Sequence, residues 1–414
     1  MKNIYLLRRD NIGNTMRNGD MCIIFSGEEV RISRDQYYNF NVNKNFFYLT
    51  GIKNDKLILF IKKVDDKIKS TLFIEKREEE KIKWIGKTIL KQEALEISSV
   101  DEIKYLDEFE SFLNNMFLNE ETPVVYFDFD RDSYDHDRLY SEKKAKKLRK
   151  MYPNLVIKNI YPVLAKLRTI KNDHEVEKIR EAINITKLGI ENILKNLKPN
   201  MKEYQIESYF DFAIKFNGAT GNSFKSIIAS GKGATILHYV ENDQIIKDGD
   251  MVLFDLGAEK DLYKADISRT FPSNGKFTPR QKQLYNVVLE AQMKVIDFIK
   301  PGVTQKELNE IASENLYLGL KRIGKIETRE ELSKYYYHSI GHLLGLDTHD
   351  VGGREFVYEK GMVVTVEPGI YIEDENIGIR IEDNILVTEN GHEVLSKDII
   401  KTVDEIEGFM KQYN

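Results

Sequence analysis

Cysteine is almost missing. Cys22 is the one thiol in 414 residues, which excludes an internal disulfide, fits a reducing compartment and leaves Cys22 as a small buried apolar residue rather than a nucleophile. Proline is scarce, at 8 residues, and no low-complexity tract or short-period repeat appears. No run of about 18 apolar residues occurs, and the opening MKNIYLLRRDNIG has no long apolar stretch followed by a cleavage site. Neither a membrane span nor a secretory leader is therefore expected, and the expected location is cytoplasmic. A surplus of positive charge is lacking too: 62 Lys and Arg against 67 Asp and Glu leave a net charge of −5, which argues against a nucleic-acid partner.

The chain is long for one domain and comfortable for two, with apolar content enough for a core in each. MCIIFSG, KLILFIKK, STLFIEK and TPVVYFDFD read as short strands between charged helical stretches, an α/β pattern. A boundary near residue 160 divides the chain into 1–160 and 161–414. SEKKAKKLRKMYP reads as a basic helix with a solvated face. NIYPVLAKLRTIKNDHEVEKIREAINITKLGIENIL supplies a connecting strand and a long amphipathic helix, with Asp173 as its cap and Val176, Ile179, Ile183 and Leu194 on its apolar side. GKGA, at Gly231 to Ala234, lacks the full phosphate-binding pattern and reads as a turn.

The chemistry lies in the last third. Asp255, Asp266, His342, Glu367 and Glu382 sit in apolar, strand-like runs, where an uncompensated charge is costly, and read together as the ligands of a two-metal hydrolase. MVLFDLGAEKDLYKADISRTFP reads as a hairpin. With its loop centred on Lys260 and Asp261, Asp255 faces Asp266 across the strands, with Cβ atoms roughly 5 Å apart. Like charges that close need a shared proton or cation. GMVVTVEPGIYI and NIGIRIEDNILVT repeat the pattern, with Glu367 and Glu382 symmetric about a turn at Asp374 and Glu375.

YYYHSIGHLLGLDTHDVGG holds three of the seven histidines, and the four-residue spacing of His338 and His342 would put both on one face of a helix. Clustered imidazoles beside an acid cage are how metal and acid/base sites are built. His238, in GATILHYVEND, is the fourth candidate, whereas His136, His174 and His392 stand in polar surroundings and read as surface residues.

Taken in order, ILHYVEND, LFDLGAEKDLYKADISRTFP, HSIGHLLGLDTHDVG, TVEPGIYI and GIRIEDNILVT resemble the creatinase and aminopeptidase P group of pita-bread metallopeptidases. Within that group the chain looks most like a Xaa-Pro aminopeptidase. RRDNIGNTMRNGDMCIIFSG and YNFNVNKNFFYLTGI resemble the start of the group's non-catalytic domain, so the likeness runs along nearly the whole chain. NKNFFYLTG departs from it at Asn45, where many relatives carry an acid. The resemblance implies an α+β chain: a smaller α/β creatinase-like domain, then a pita-bread catalytic domain.

It also implies that Asp255, Asp266, His342, Glu367 and Glu382 hold two divalent ions, bridged by Asp266 and Glu382, with a bridging hydroxide as nucleophile and Glu367 moving its proton. Manganese suits such hard oxygen ligands with one imidazole, with cobalt, zinc and iron as alternatives. His238, His338 and His349 match histidines that hold substrate and stabilise the oxyanion. Arg380, two residues before Glu382, shares its strand face and can orient carboxylates or substrate.

The implied substrates are peptides with proline second, whose scissile tertiary amide has no N–H. The ring would need an apolar slot, for which Phe224, Tyr239 and Tyr371 are the expected linings. Trp84, in KIKWIGKTIL, reads equally as core or as a residue reaching a neighbouring subunit's site, in keeping with an implied homo-oligomer, dimer or tetramer. A prolidase acting on Xaa-Pro dipeptides would use the same five ligands. Methionine aminopeptidases lack so large a leading domain, creatinases lack the ligand set, and non-catalytic peptide-binding relatives typically lose ligands.

Overall fold

A computed structural model describes residues 3–76, 83, 88–118, 120–131 and 139–413. Trp84 and His136 lie outside the described residues. The chain divides into two compact units, Met1–Leu167 and Arg168–Asn414.

In the first unit the helices are α1 (Ile4–Gly13), α2 (Lys44–Thr50), α3 (Lys91–Ser98), α4 (Phe109–Leu118) and α5 (Tyr140–Met151), and α6 (Tyr161–Thr169) runs across the division. The strands are β1 (Met21–Phe25), a small hairpin of β2 (Arg31–Ser33) with β3 (Gln36–Tyr37), β4 (Ile58–Val64), β5 (Lys67–Ile74), β6 (Glu102–Tyr105), β7 (Val124–Phe127) and β8 (Val156–Asn159). Six of them form one mixed sheet in the order β6-β5-β4-β1-β7-β8. Alternate residues Met21, Ile23 and Phe25 of β1 meet Leu113 and Phe117 of α4 and Ala145 of α5 in one core. The basic residues Lys146, Lys147, Arg149 and Lys150 of α5 stay exposed, as a solvated face requires. Cys22 is buried, and Asn45 is buried with its amide donating to Asp128.

The second unit opens on α7 (Asp173–Asn196), which packs against α8 (Glu203–Phe216). The cap of α7 is Asn172 rather than Asp173. The Asn172 side chain accepts from the N–H groups of His174 and Glu175 while Glu175 accepts from the Asn172 N–H, a reciprocal pair that Asp173 is one residue too late to make. Val176, Ile179, Ile183 and Leu194 are buried, as the periodicity requires. Gly231–Thr235 forms a 3-10 turn.

Antiparallel strands then build the site: β9 (Gly221–Asn222), β10 (Ile227–Ser230), β11 (Met251–Leu256), β12 (Ala258–Lys260), β13 (Tyr263–Lys264) and β14 (Ile267–Pro272). After helices α9 (Pro279–Phe298) and α10 (Gln305–Arg322) come β15 (Val363–Val366), β16 (Gly369–Ile372), β17 (Ile377–Arg380), β18 (Asp383–Val387), β19 (His392–Val394) and α11 (Val403–Met410). Sheets form in the orders β10-β11-β14 and β15-β18-β19, with β16 paired to β17. Val295 and Ile296 of α9 and Leu308 and Ala312 of α10 pack on Val364, Val366 and Ile385, closing a dry core behind one face of the second sheet.

The two hairpins differ in how they meet the expected register. In the second, Val366 pairs with Asp383 and Gly369 with Arg380, the symmetry about Asp374 and Glu375 expected from the sequence. In the first, Asp255 pairs with Ser268, not with Asp266. The tip is Asp261 and Leu262, both in the left-handed region with φ of 52° and 73°, so the centre lies one residue later than expected. Each partner therefore moves by two. Because side chains alternate with period two, the shift preserves the face, and Asp255 and Asp266 become diagonal neighbours. Among the described residues no helix is long and apolar enough to cross a membrane.

Candidate metal centre

Alternation decides which side chains enter the site. On β14 and the residue before it, Asp266, Ser268 and Thr270 share one face; between β17 and β18, Arg380, Glu382 and Asn384 share another. The two faces are tied together where the Glu382 N–H donates to the Ser268 carbonyl, and where Asn384 accepts from the Asp266 N–H at 3.2 Å and donates back to its carbonyl at 2.6 Å. The intervening residues bury a separate ion pair: Arg269 Nη2 lies 2.8 Å from Asp383 Oδ1, with both side chains 0% exposed. Lys401 reaches Asp383 as well, at 2.6 Å.

His342 arrives by a different route from the one expected. His338 and His342 do not share a helix: the segment from Ile340 to Leu344 is extended and lies along β15, with Thr365 N–H donating to the His342 carbonyl and Glu367 N–H to that of Ile340. Gly341 is why the segment can come so close, since a Cβ there would collide with the Thr365 carbonyl. The pairing sets His342 beside Glu367, with Nε2 to Oε1 at 3.6 Å.

Ligand atoms of Asp266, His342 and Glu382 lie within 4.8 Å of one another. His342 Nδ1 is 3.0 Å from the Leu343 carbonyl, which can only accept, so the proton sits on Nδ1 and the Nε2 lone pair faces Asp266 at 3.4 Å. Glu382 is 1% exposed, and its Oε1 has no hydrogen-bond partner among the described residues. Burial, then the charges of Asp266, Glu367 and Asp255, push the Glu382 carboxyl well above its ordinary range. Burial, then Asp255 and Glu367, do the same to Asp266, which also shares a hydrogen bond with Asp255. An orphaned buried oxygen, a pair of acids that resist joint ionisation and an aimed imidazole fit a divalent cation.

Ser268, which carries no signal of its own in the sequence beyond lying two residues from Asp266, knits the acids together. Its Oγ lies 3.1 Å from Asp255 Oδ1 and 2.9 Å from Glu382 Oε2, and accepts from Arg380 Nε at 2.7 Å. Arg380 also donates to Asp255 at 2.6 Å and to the Tyr371 hydroxyl at 3.1 Å. Tyr371 lies 3.0 Å from His338 Nε2, and the His338 Nδ1 donates to the Ser339 carbonyl at 2.8 Å. His338 is thus a neutral acceptor for the Tyr371 hydroxyl, and burial lowers its pKa. His349 is exposed, with its ring 4.3 Å from that of His342; burial and the neighbouring His342 charge lower its pKa, and the His238 charge adds to this. His238 is exposed too.

Of the four expected acids and one imidazole, Asp266, His342 and Glu382 form one cluster, with Glu367 beside His342 and Asp255 joined through Ser268. Of the three expected linings of a proline slot, two are buried. Tyr239 and Tyr371 are 6% and 3% exposed and pack with Ile227, Ala229 and Leu253, because their hydroxyls are drawn inward to Glu203 and Arg380. Phe224 is half-buried. His174 is exposed, as expected, and His392 is half-buried against the Ile299 carbonyl.

Comparison with known proteins agrees with this architecture. Residues 177–389 match metallopeptidase family M24, and residues 5–126 match the aminopeptidase P amino-terminal domain. The Xaa-Pro aminopeptidase of Haemophilus influenzae is 35% identical over 97% of this chain and 96% of its own length. A candidate aminopeptidase P from Bacillus anthracis superposes with a TM-score of 0.97 at 48% identity, over 99% of this chain and 98% of the other. Aminopeptidase P of E. coli with the inhibitor Pro-Leu superposes at 0.90 with 32% identity, again over 99% and 98%. The fold is accordingly α+β, a pita-bread domain preceded by an α/β amino-terminal domain.

Proposed function

The chain belongs to metallopeptidase family M24 and is a metal-dependent hydrolase that releases the first residue from peptides with proline second; on that premise we propose which of its residues do the work. Asp255, Asp266, His342, Glu367 and Glu382 hold two divalent ions, manganese first among them because four carboxylates and one imidazole form a hard, oxygen-rich set. Bound there, the ions supply a nucleophile from water near neutral pH and polarise the attacked carbonyl. What supports the ligand set is Glu382, buried with an oxygen that no described donor reaches, beside Asp266 and His342.

Glu367 takes the proton from the attacking water and delivers it to the departing proline nitrogen, which has none of its own. His349 and His238, both exposed, reach the substrate and steady charge on the attacked oxygen. His338, with both ring nitrogens engaged, holds the Tyr371 hydroxyl and through it Arg380, which fixes Asp255. The division between the non-catalytic and catalytic parts falls near residue 160. The lone buried thiol supports a cytoplasmic location, and the family resemblance supports a homo-oligomer.

The test is to strip the protein with chelator, restore manganese, and offer Xaa-Pro-Yaa peptides and Xaa-Pro dipeptides. Release of the first residue from the longer peptides only after restoration is expected. Cleavage of dipeptides alone would make it a prolidase, and cleavage of neither would overturn the reading.

A further inference from the structure

The segment from Gly341 to Asp350 carries both His342 and His349, yet among its residues only the Leu343–Val364 bridge belongs to regular pairing. Beyond its hydrogen bonds to β15, its far end is held by ions. The Asp350 carboxylate receives Arg168 Nη2 at 2.6 Å and Lys171 Nζ at 3.0 Å, and the three side chains are only 1%, 2% and 1% exposed. The same Nη2 reaches Asp347 at 2.7 Å. Gly345 lies against this cluster so closely that a Cβ would strike Asp350 and Lys171.

The backbone passes that anchorage on to the imidazoles. Asp350 N–H donates to the Leu343 carbonyl at 2.8 Å, and the same carbonyl takes the His342 Nδ1 proton at 3.0 Å. One residue before Asp350, the His349 ring meets His342 at 4.3 Å with the planes 70° apart. Dry charges are a poor means of adding stability, since their desolvation offsets their attraction, but they tolerate few alternative geometries. We propose that Arg168, Lys171 and Asp350 form a buried clasp that positions His342 toward the metal centre and His349 toward the substrate. The clasp rests on the reaction proposed above, and its members are positioning residues.

The experiment is a double-mutant cycle on the full chain with manganese and an Xaa-Pro-Yaa peptide. Asp350→Asn should lower kcat roughly tenfold with KM within about twofold, and cost only about threefold when His349 is already alanine, where the His342 share of the positioning is all that is left to lose. Equal losses in both backgrounds would overturn the clasp. Should Asp350→Asn fail to fold, Lys171→Met, which keeps the Arg168 pair, goes through the same cycle under the same criterion. Calorimetric titration of the metal-free protein adds a readout that needs no turnover: manganese binding should weaken several-fold in Asp350→Asn and stay within about twofold in His349→Ala. Unchanged affinity in Asp350→Asn would count against the clasp as heavily. A wild-type chain that binds manganese but cleaves no such peptide would fail the functional reading alone and leave this titration decisive.

Discussion

Arg380 Nη2 lies 2.6 Å from the Asp255 carboxylate, with the two side chains only 5% and 15% exposed. Its other two nitrogens bind Ser268 and the Tyr371 hydroxyl, so one guanidinium sets the angles among an acid, a serine and a tyrosine. Lysine would keep the charge but place it at one point. Arg380→Lys should therefore fold and lose roughly ten- to a hundredfold in kcat/KM. Steady-state kinetics check this; unchanged kinetics would mean that only the charge matters.

Ser268 has one proton and two carboxylates within reach, Asp255 and Glu382, while it accepts from Arg380. Ser268→Ala removes that link without adding bulk. Leaving charged neighbours short of a partner costs about 1–3 kcal/mol, so manganese affinity measured by calorimetry should fall by roughly ten- to a hundredfold. Unaltered affinity would restrict Ser268 to packing.

Burial raises the pKa of both Asp266 and Glu382, Asp255 adds to the first and Asp266 to the second, and these crowded acids destabilise the metal-free fold when they ionise together. A cation reverses this. At a hundredfold excess over Kd it adds about 2.7 kcal/mol, seen as a rise in the thermal midpoint. Asp266→Ala should melt no lower than the wild type without metal, respond little to manganese and lose turnover. An equal rise in both proteins would contradict the ligand role.

Burial works against the Asp350 anion, yet Lys171 and Arg168 outweigh it and hold the carboxyl below its ordinary 3.8. The unfolded chain then binds more protons than the folded one in that range, so this stabilisation is present above the unfolded value and disappears as pH falls through the folded one. Thermal midpoints of chelated wild type should drop more steeply below about pH 4 than those of Asp350→Asn. Parallel curves would show that Asp350 is not responsible.

The register of the second hairpin was legible because its turn adds no bulge: the pairs on either side of Glu367 and Glu382, Val366 with Asp383 and Gly369 with Arg380, keep the symmetry that the sequence implies. The first misled by two residues because Leu262 adopts a left-handed conformation for which leucine gives no signal. The HSIGH spacing suggested a helix, since four-residue intervals are its signature, but pairing with β15 through Gly341 won. Ser268 and the Arg269–Asp383 pair escaped because a serine or an ion pair inside a strand has no spacing that betrays it. The inward hydroxyl bonds of Tyr239 and Tyr371 escaped too, their partners being distant in sequence or on the facing strand.

The tip of the second hairpin, Glu373–Glu375 followed by Asn376 at φ 52°, stands beyond the last paired residues, Ile372 and Ile377. A residue inserted there would leave the acids below in place, because both strands keep their alternation up to the turn. One residue inserted between Arg380 and Glu382 would instead send the two to opposite sides of the sheet. A longer tip gives up ion pairs such as those of Glu375 with Arg280 and Lys325, whereas a changed interval beneath it gives up the site.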